Sequence, residues 1–253
     1  MALPTTPCMC HGAGAERIIF NFASTTSHTQ TLAARQIRMS KQEKYNKLIE
    51  FLDKLDDEFI QSSLRILKAG NGNMYTIDLL SSAVNNRALQ LTKGFLVLAK
   101  ENNFISAIPL IRLQLDNALR FFATTLVSNY NDFFLHYLDG KPIREYKDAK
   151  GQKLTDNYLA KTLDVHFPGA LKLYNDTSGH IHLSDRHFFA TTAKVNEEDR
   201  TIQMAVGPAI NNFTEDDKID FVNTMIEVSK LVIIVVEQWR HHKDEISGDL
   251  PSR

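Results

Sequence analysis

The chain has 253 residues, of which 43% are hydrophobic and 23% charged, with a formal net charge of -1. That composition is ample for a buried core and excludes both a disordered polyelectrolyte and a protein drawn to nucleic acid or anionic membrane by its overall charge. A local basic groove stays compatible with it. No apolar run approaches the ~20 residues of a membrane helix, and the longest, Leu231 to Val236, sits between Lys230 and Glu237. Both cysteines, Cys8 and Cys10, lie near the N-terminus, too close together to staple a fold. A cysteine-free body suits a reducing compartment, so a cytoplasmic location without membrane association is expected.

Residues 1–38 stand apart. They are rich in Ser, Thr and Ala, carry Arg17, Arg35 and Arg38 against Glu16 alone, and show no amphipathic period. Their composition resembles a transit peptide, whereas Met39-Ser40-Lys41-Gln42 resembles a natural bacterial start. The segment is left unassigned, with disorder expected, and residues 39–253 are expected to form a single helical-bundle domain.

From Ser40 the period is helical. Tyr45, Leu48, Ile49, Leu52, Leu55, Phe59, Leu64 and Leu67 recur at three-and-four spacing, with Ser40 and Glu43 placed as a capping box. Gly70-Asn71-Gly72 ends this helix, since Gly and Asn tolerate left-handed backbone. A second helix fits Thr76 to Glu101, and so short a connection predicts antiparallel packing. The third, roughly Phe104 to Val127, is apolar nearly all round and so belongs at the centre of a bundle. Pro109 should kink it or lie in its first turn. A short aromatic helix around Asp132 to Leu138 follows, then a polar surface excursion from Lys141 to Asp156, then helical signal from Leu154 to Leu163. Pro168 opens a further segment through Leu171, Tyr174 and Ser178. Phe188 to Val195 and Thr201 to Gly207 are rich in β-branched residues and predict a small β-hairpin near 188–207, with Asn196 to Asp199 as its loop. Thr214, followed by Glu215, Asp216 and Asp217, opens a final helix through Trp239. The fold class is therefore mainly α, a helical bundle with one small hairpin.

Two groups of residues could carry chemistry. Arg112, Asp116 and Arg120 are spaced by four on the third helix, drift by only ~80° in total, and so form one polar stripe. Arginine binds phosphate or carboxylate through two parallel hydrogen bonds, which makes the stripe a candidate floor for an anionic ligand. The bland alternative is an Asp116 bridge flanked by arginines and closed by a neighbouring helix. The second group lies in Leu173 to Phe189, LYNDTSGHIHLSDRHFF, which gathers His180, His182 and His187. Tyr174, Ser178 and His182 share one face if helix persists that far. Histidine is easily tuned near neutral pH and serves as general base or metal ligand. Three readings are open: a hydrogen-bonded cluster locking a turn, a binding or catalytic pocket, and a metal hydrolase with His180, His182, His187 and Asp176 or Asp185 as ligands. No phosphate loop, nucleophile elbow or HExxH is found, and no cofactor is expected.

The helix bearing Ile-Arg-Leu-Gln-Leu-Asp (111–116), followed by Tyr-Asn-Asp-Thr-Ser-Gly-His-Ile-His-Leu-Ser (174–184), resembles bacterial helical proteins of the HEPN kind. The resemblance covers about residues 76–189. It implies a helical bundle that dimerises and, in many members, metal-independent cleavage of RNA in toxin or defence systems. Active members carry Arg, four to six residues, then His, and no arginine here has a histidine at that spacing. The expectation is therefore a homodimeric protein that binds nucleotide or RNA, as a divergent metal-independent ribonuclease; the alternatives are a non-catalytic interaction protein whose polar cluster is structural, and the histidine-dependent metal hydrolase. Arg112 and Arg120 would hold phosphate, with Tyr174, Ser178 and His187 beside them. Asp116 would orient the arginines, and His180 or His182 would act as acid or base.

Overall fold

The computed structural model describes residues 40–181, 184–196, 200–204, 206–207 and 211–248. The N-terminal segment 1–38 and His182 lie outside the described residues.

α1 (Lys41–Lys68) begins with the capping box its sequence encodes: the Glu43 amide donates to Ser40 Oγ, and the Ser40 amide donates to Glu43 Oε2. It ends at a tight turn in which Gly70, Asn71 and Gly72 all have positive φ. At Gly70 a second constraint applies, since a Cβ there would lie 2.4 Å from Ser247 Oγ. α2 (Thr76–Lys100) returns alongside α1. α3 (Phe104–Phe122) is shorter than its apolar run suggests, because the backbone tightens into a 3-10 turn over Ala123–Thr125. Pro109 is its sixth residue and so lies in the second turn, past the first turn, where its missing amide would have cost nothing.

α4 (Tyr130–Leu138), α5 (Asp156–His166) and α6 (Ala170–Ser178) are short helices around the far part of α3 and α2. α6 stops at Ser178 with Gly179 as its C-cap, so helix does not continue to residue 182. Phe188 to Thr191, expected in a strand, belong instead to α7 (Asp185–Thr191). The cause is local: Ser184 and His187 form a capping box that starts a helix, and this outweighs the β-branched composition behind it. The antiparallel ribbon that follows pairs β1 (Thr192–Asn196) with β2 (Thr201–Met204), and the connecting residues lie outside the described set. α8 (Glu215–Gly248) closes the bundle against α1, α2 and α3.

The apolar core runs through these four long helices, with Leu52, Phe59, Ile66, Phe95, Leu115, Val222 and Val232 all essentially closed to solvent. Burial of each such side chain is worth about 1.5–3 kcal/mol. α3 also meets α5 and α6, which makes it the central helix predicted from its composition. Among the described residues, no helix is long and apolar enough to cross a membrane.

Two buried polar clusters tie α8 to the rest. Lys243 Nζ has no solvent access, and it donates to Asp78 Oδ2 at 2.9 Å and to the Ile66 carbonyl at 2.9 Å. Asp78 Oδ1 accepts from the Trp239 indole at 2.7 Å, and its other oxygen also accepts from the Tyr75 amide. Deeper in the bundle, Gln114 of α3 donates to the Ala88 carbonyl and Thr92 of α2 and to Ser229 of α8. Lys243→Met is expected to destabilise the protein by about 3–5 kcal/mol, because Asp78 is then a buried charge with no counter-ion. Adding Asp78→Asn, which still offers an oxygen to Trp239, should recover a large part of the loss. Urea denaturation of both variants checks this; an equal loss in the single and double variants would refute it.

Candidate functional site

The polar stripe of α3 divides between two neighbours. Arg112 and Arg120 are eight residues apart, which is ~12 Å along a helix axis. Near the first, the Arg112 guanidinium lies over the Tyr174 ring of α6, 4.2 Å from its centroid. Near the second, Arg120 Nε donates to Asp116 Oδ1 at 3.2 Å and the guanidinium also pairs with Asp156 at the start of α5. The Asp116 bridge thus exists, but its second arginine is Arg87 of α2, whose Nη1 lies 3.9 Å from Asp116 Oδ2. Arg87 is further fixed by Asn117, whose side-chain oxygen accepts from it.

Asn117 is buried, and its amide donates to Gln114 Oε1 at 3.0 Å. Arg87 is therefore held by a chain of hydrogen bonds reaching through Gln114 to Ser229 in the centre of the bundle. Such a chain fixes the guanidinium before any ligand arrives.

Arg87, Asp116, Asn117 and Arg120 line one side of a cleft of about 450 Å³. The segment after α4 supplies more of its wall, with Tyr137, Lys141, Ile143 and Arg144, and Leu80, Ala83 and Val84 add apolar surface. Binding clefts for small ligands span about 300–1,000 Å³ and combine apolar walls with a few placed polar groups. Four cations and one carboxylate in the lining give it a positive balance. Lys141 is shared with Asp139 at 2.8 Å, while Arg144 is exposed and makes no ion pair among the described residues.

The histidine segment is organised differently. His187 Nδ1 accepts from the Ser184 amide at 3.3 Å, which uses the ring to cap α7. His180 follows α6 and its ring lies 6.3 Å from that of His187. The Ser178 hydroxyl donates back to the Tyr174 carbonyl at 2.7 Å, one helical turn earlier. Among the described residues no group of three His, Cys, Asp or Glu could hold a metal ion, and His182 lies outside them. Of the residues singled out in the sequence, Asp116 and Arg120 share the cleft and Arg112 joins Tyr174. Neither Tyr174, Ser178, His180 nor His187 lines the cleft. Comparison with known protein families, curated proteins and solved structures found no match.

Sequence reasoning missed Arg87, Asn117, Lys141 and Arg144. Arg87 had a usable signal, as a cation on the second helix that could satisfy the acid of the stripe on the third. Lys141 and Arg144 sit in an excursion with no periodicity, and only the fold shows which wall they join.

That excursion is ordered by Asp148. Its carboxylate accepts from the amides of Lys150 at 2.9 Å and Gln152 at 2.7 Å and from the Tyr158 hydroxyl at 2.6 Å. Burial pushes this carboxyl up, but the three hydrogen bonds outweigh burial and hold it below the usual carboxylate range. The same contact with Asp148, with burial added, pushes the Tyr158 phenol above its ordinary range. A lowered carboxyl contributes stability above its unfolded pKa, and that contribution is lost as pH falls through the folded one. Tyr158→Phe should therefore cost about 1–3 kcal/mol at pH 7 and progressively less on acidification. Denaturation at pH 7 and near pH 3 checks this, and a loss that does not shrink in acid would contradict it.

Proposed function

We propose that this helical protein binds a phosphorylated ligand, nucleotide or RNA, in the cleft between α2, α3 and the segment after α4. The observation that carries the reading is the pairing of Arg87 and Arg120 about Asp116, on a wall faced by Lys141 and Arg144. Two guanidinium groups held in place meet a phosphate with little ordering left to do, and each supplies charge-assisted hydrogen bonds. The apolar surface of Leu80, Val84 and Ile143, with the exposed Tyr137 ring, suits the flat face of a base. The resemblance to HEPN proteins supports the same ligand class, and the setting proposed is a cytoplasmic homodimer.

The reading is one of binding before turnover. Strand cleavage needs an acid or base within hydrogen-bond reach of the phosphate; among the described residues no histidine lines the cleft, and its one carboxylate, Asp116, is paired with Arg87 and Arg120. A ribonuclease would have to bring His180 or His182 to a ligand extending toward Arg112 and Tyr174. The non-catalytic alternative needs no such movement.

Replacing Arg87 or Arg120 by Ala should weaken binding of fluorescently labelled AMP roughly tenfold to a hundredfold, the range of a lost charge-assisted hydrogen bond. Arg112→Ala should leave that affinity unchanged. Fluorescence anisotropy on the three variants decides the matter: equal weakening by all three, or by none, would refute the cleft as the binding site.

A further inference from the structure

The excursion between α4 and α5 carries five cations, Lys141, Arg144, Lys147, Lys150 and Lys153, against two acids, Glu145 and Asp148, within thirteen residues. Two of the cations are placed in a way that the fold itself does not need. Lys147 and Lys153 face one another in an antiparallel β-bridge. The hydrogen bonds on either side run from the Asp148 amide to the Gln152 carbonyl at 2.8 Å and from the Leu154 amide to the Tyr146 carbonyl at 2.9 Å. Those bonds make Lys147 and Lys153 the non-hydrogen-bonded pair, the closer of the two antiparallel pairings, with both side chains on one side of the ribbon. Like charges placed directly opposite in this way repel and destabilise.

No ion pair relieves the repulsion among the described residues. Lys147, Lys150 and Lys153 are exposed and make no ion pair among the described residues. The one acid within the turn, Asp148, is buried with its oxygens committed to Tyr158 and two backbone amides. The loop is also rigid at its base, because the Ala149 amide donates to the Leu126 carbonyl at 2.9 Å and Leu154 is fully buried. A fixed loop that holds two ammonium groups side by side, neither of them in an ion pair among the described residues, is prepared for an anion.

The position of the loop says what kind. Arg144 lines the cleft, and Lys147 is three residues further along the chain, at most ~11 Å away. One phosphate cannot satisfy both the cleft arginines and the lysine pair, but consecutive phosphates of a chain can. We propose that residues 141–153 form a track for the backbone of a single-stranded polynucleotide whose first phosphate occupies the cleft. This rests on the cleft reading above and makes the preferred ligand an oligonucleotide rather than a mononucleotide.

The test uses the full chain and three probes: labelled AMP, a labelled uridine dodecanucleotide, and polyglutamate as competitor. The variant is Lys147→Ala with Lys153→Ala, and its melting temperature should equal or slightly exceed that of the parent because a repulsive pair is removed. Dodecanucleotide affinity should fall about tenfold at low salt, and the slope of log affinity against log salt should decrease by about 1.4, the value for two lost single-strand phosphate contacts. AMP affinity should stay the same. Unchanged dodecanucleotide affinity alongside intact AMP binding would overturn the track and leave the cleft reading standing. Failure of the parent to bind either probe would overturn both. Polyglutamate competing as well as unlabelled dodecanucleotide would show a general polyanion patch, such as an acidic protein partner would use, and would also overturn the track.

Discussion

An ammonium and a carboxylate that cannot reach water must satisfy one another, and in this fold Lys243 and Asp78 do so across 165 positions of sequence. Each is expensive alone and neither has a second ionic partner among the described residues, so the pair forces the C-terminal turn of α8 onto the junction of α1 and α2. The surroundings are built to fit. The Ile66 carbonyl at the end of α1 takes a second ammonium proton, the Trp239 indole caps the other carboxylate oxygen, and Tyr75 bonds Ser247 through its hydroxyl at 3.0 Å. Gly70 belongs to the same arrangement, because any larger residue there would collide with Ser247 and Lys243. The Gly70 amide also donates to Asp244, so the turn after α1 is bound to α8 by backbone as well as side chain.

With that end closed, the middle of the bundle can hold polar groups in register. α2, α3 and α8 meet at Gln114, Thr92 and Ser229, and this small network continues through Asn117 to Arg87 at the surface. A second seam joins α1 to α8 at Glu237. Burial pushes that carboxyl up, yet hydrogen bonds from Arg240, Ser62 and Arg65 outweigh burial and keep it below the usual range. The cleft thus depends on the core in a direct way: Arg87 is aimed by Asn117, which is itself buried and bonded onward to Gln114. Preorganisation of this kind matters for a phosphate site, because arginine side chains otherwise lose rotamer freedom when they bind.

The long helices were legible in the sequence because each carries its own periodic apolar face and its own caps. Ser40 with Glu43 marks the first residue of α1, and Gly70-Asn71-Gly72 marks its end. The segment around Phe188 was misread as strand, since composition favours β while the decisive capping by His187 reads in sequence as a candidate site. That exchange is instructive: the cluster of histidines that looked most chemical is partly the cap of a short helix. The arginine stripe was read correctly as polar positions on a central helix, but four-residue spacing says nothing about which neighbour each position meets. Over eight residues the stripe climbs ~12 Å, enough for Arg112 to meet Tyr174 while Arg120 meets Asp156. The lysine-rich turn was legible only as a surface excursion, because cross-strand pairing of Lys147 with Lys153 is fixed by tertiary anchoring at Leu126 and Leu154.

The central claim is that a phosphate ligand seats between Arg87 and Arg120. Its most direct test is a titration of the labelled full chain with a uridine dodecanucleotide, followed through the arginine Nε–H resonances. The account predicts saturable shifts for Arg87 and Arg120 at one common affinity, with Arg65 and Arg240, held at Glu237, unmoved. Shifts confined to Arg112, or movement of no arginine while the oligonucleotide binds, would contradict it.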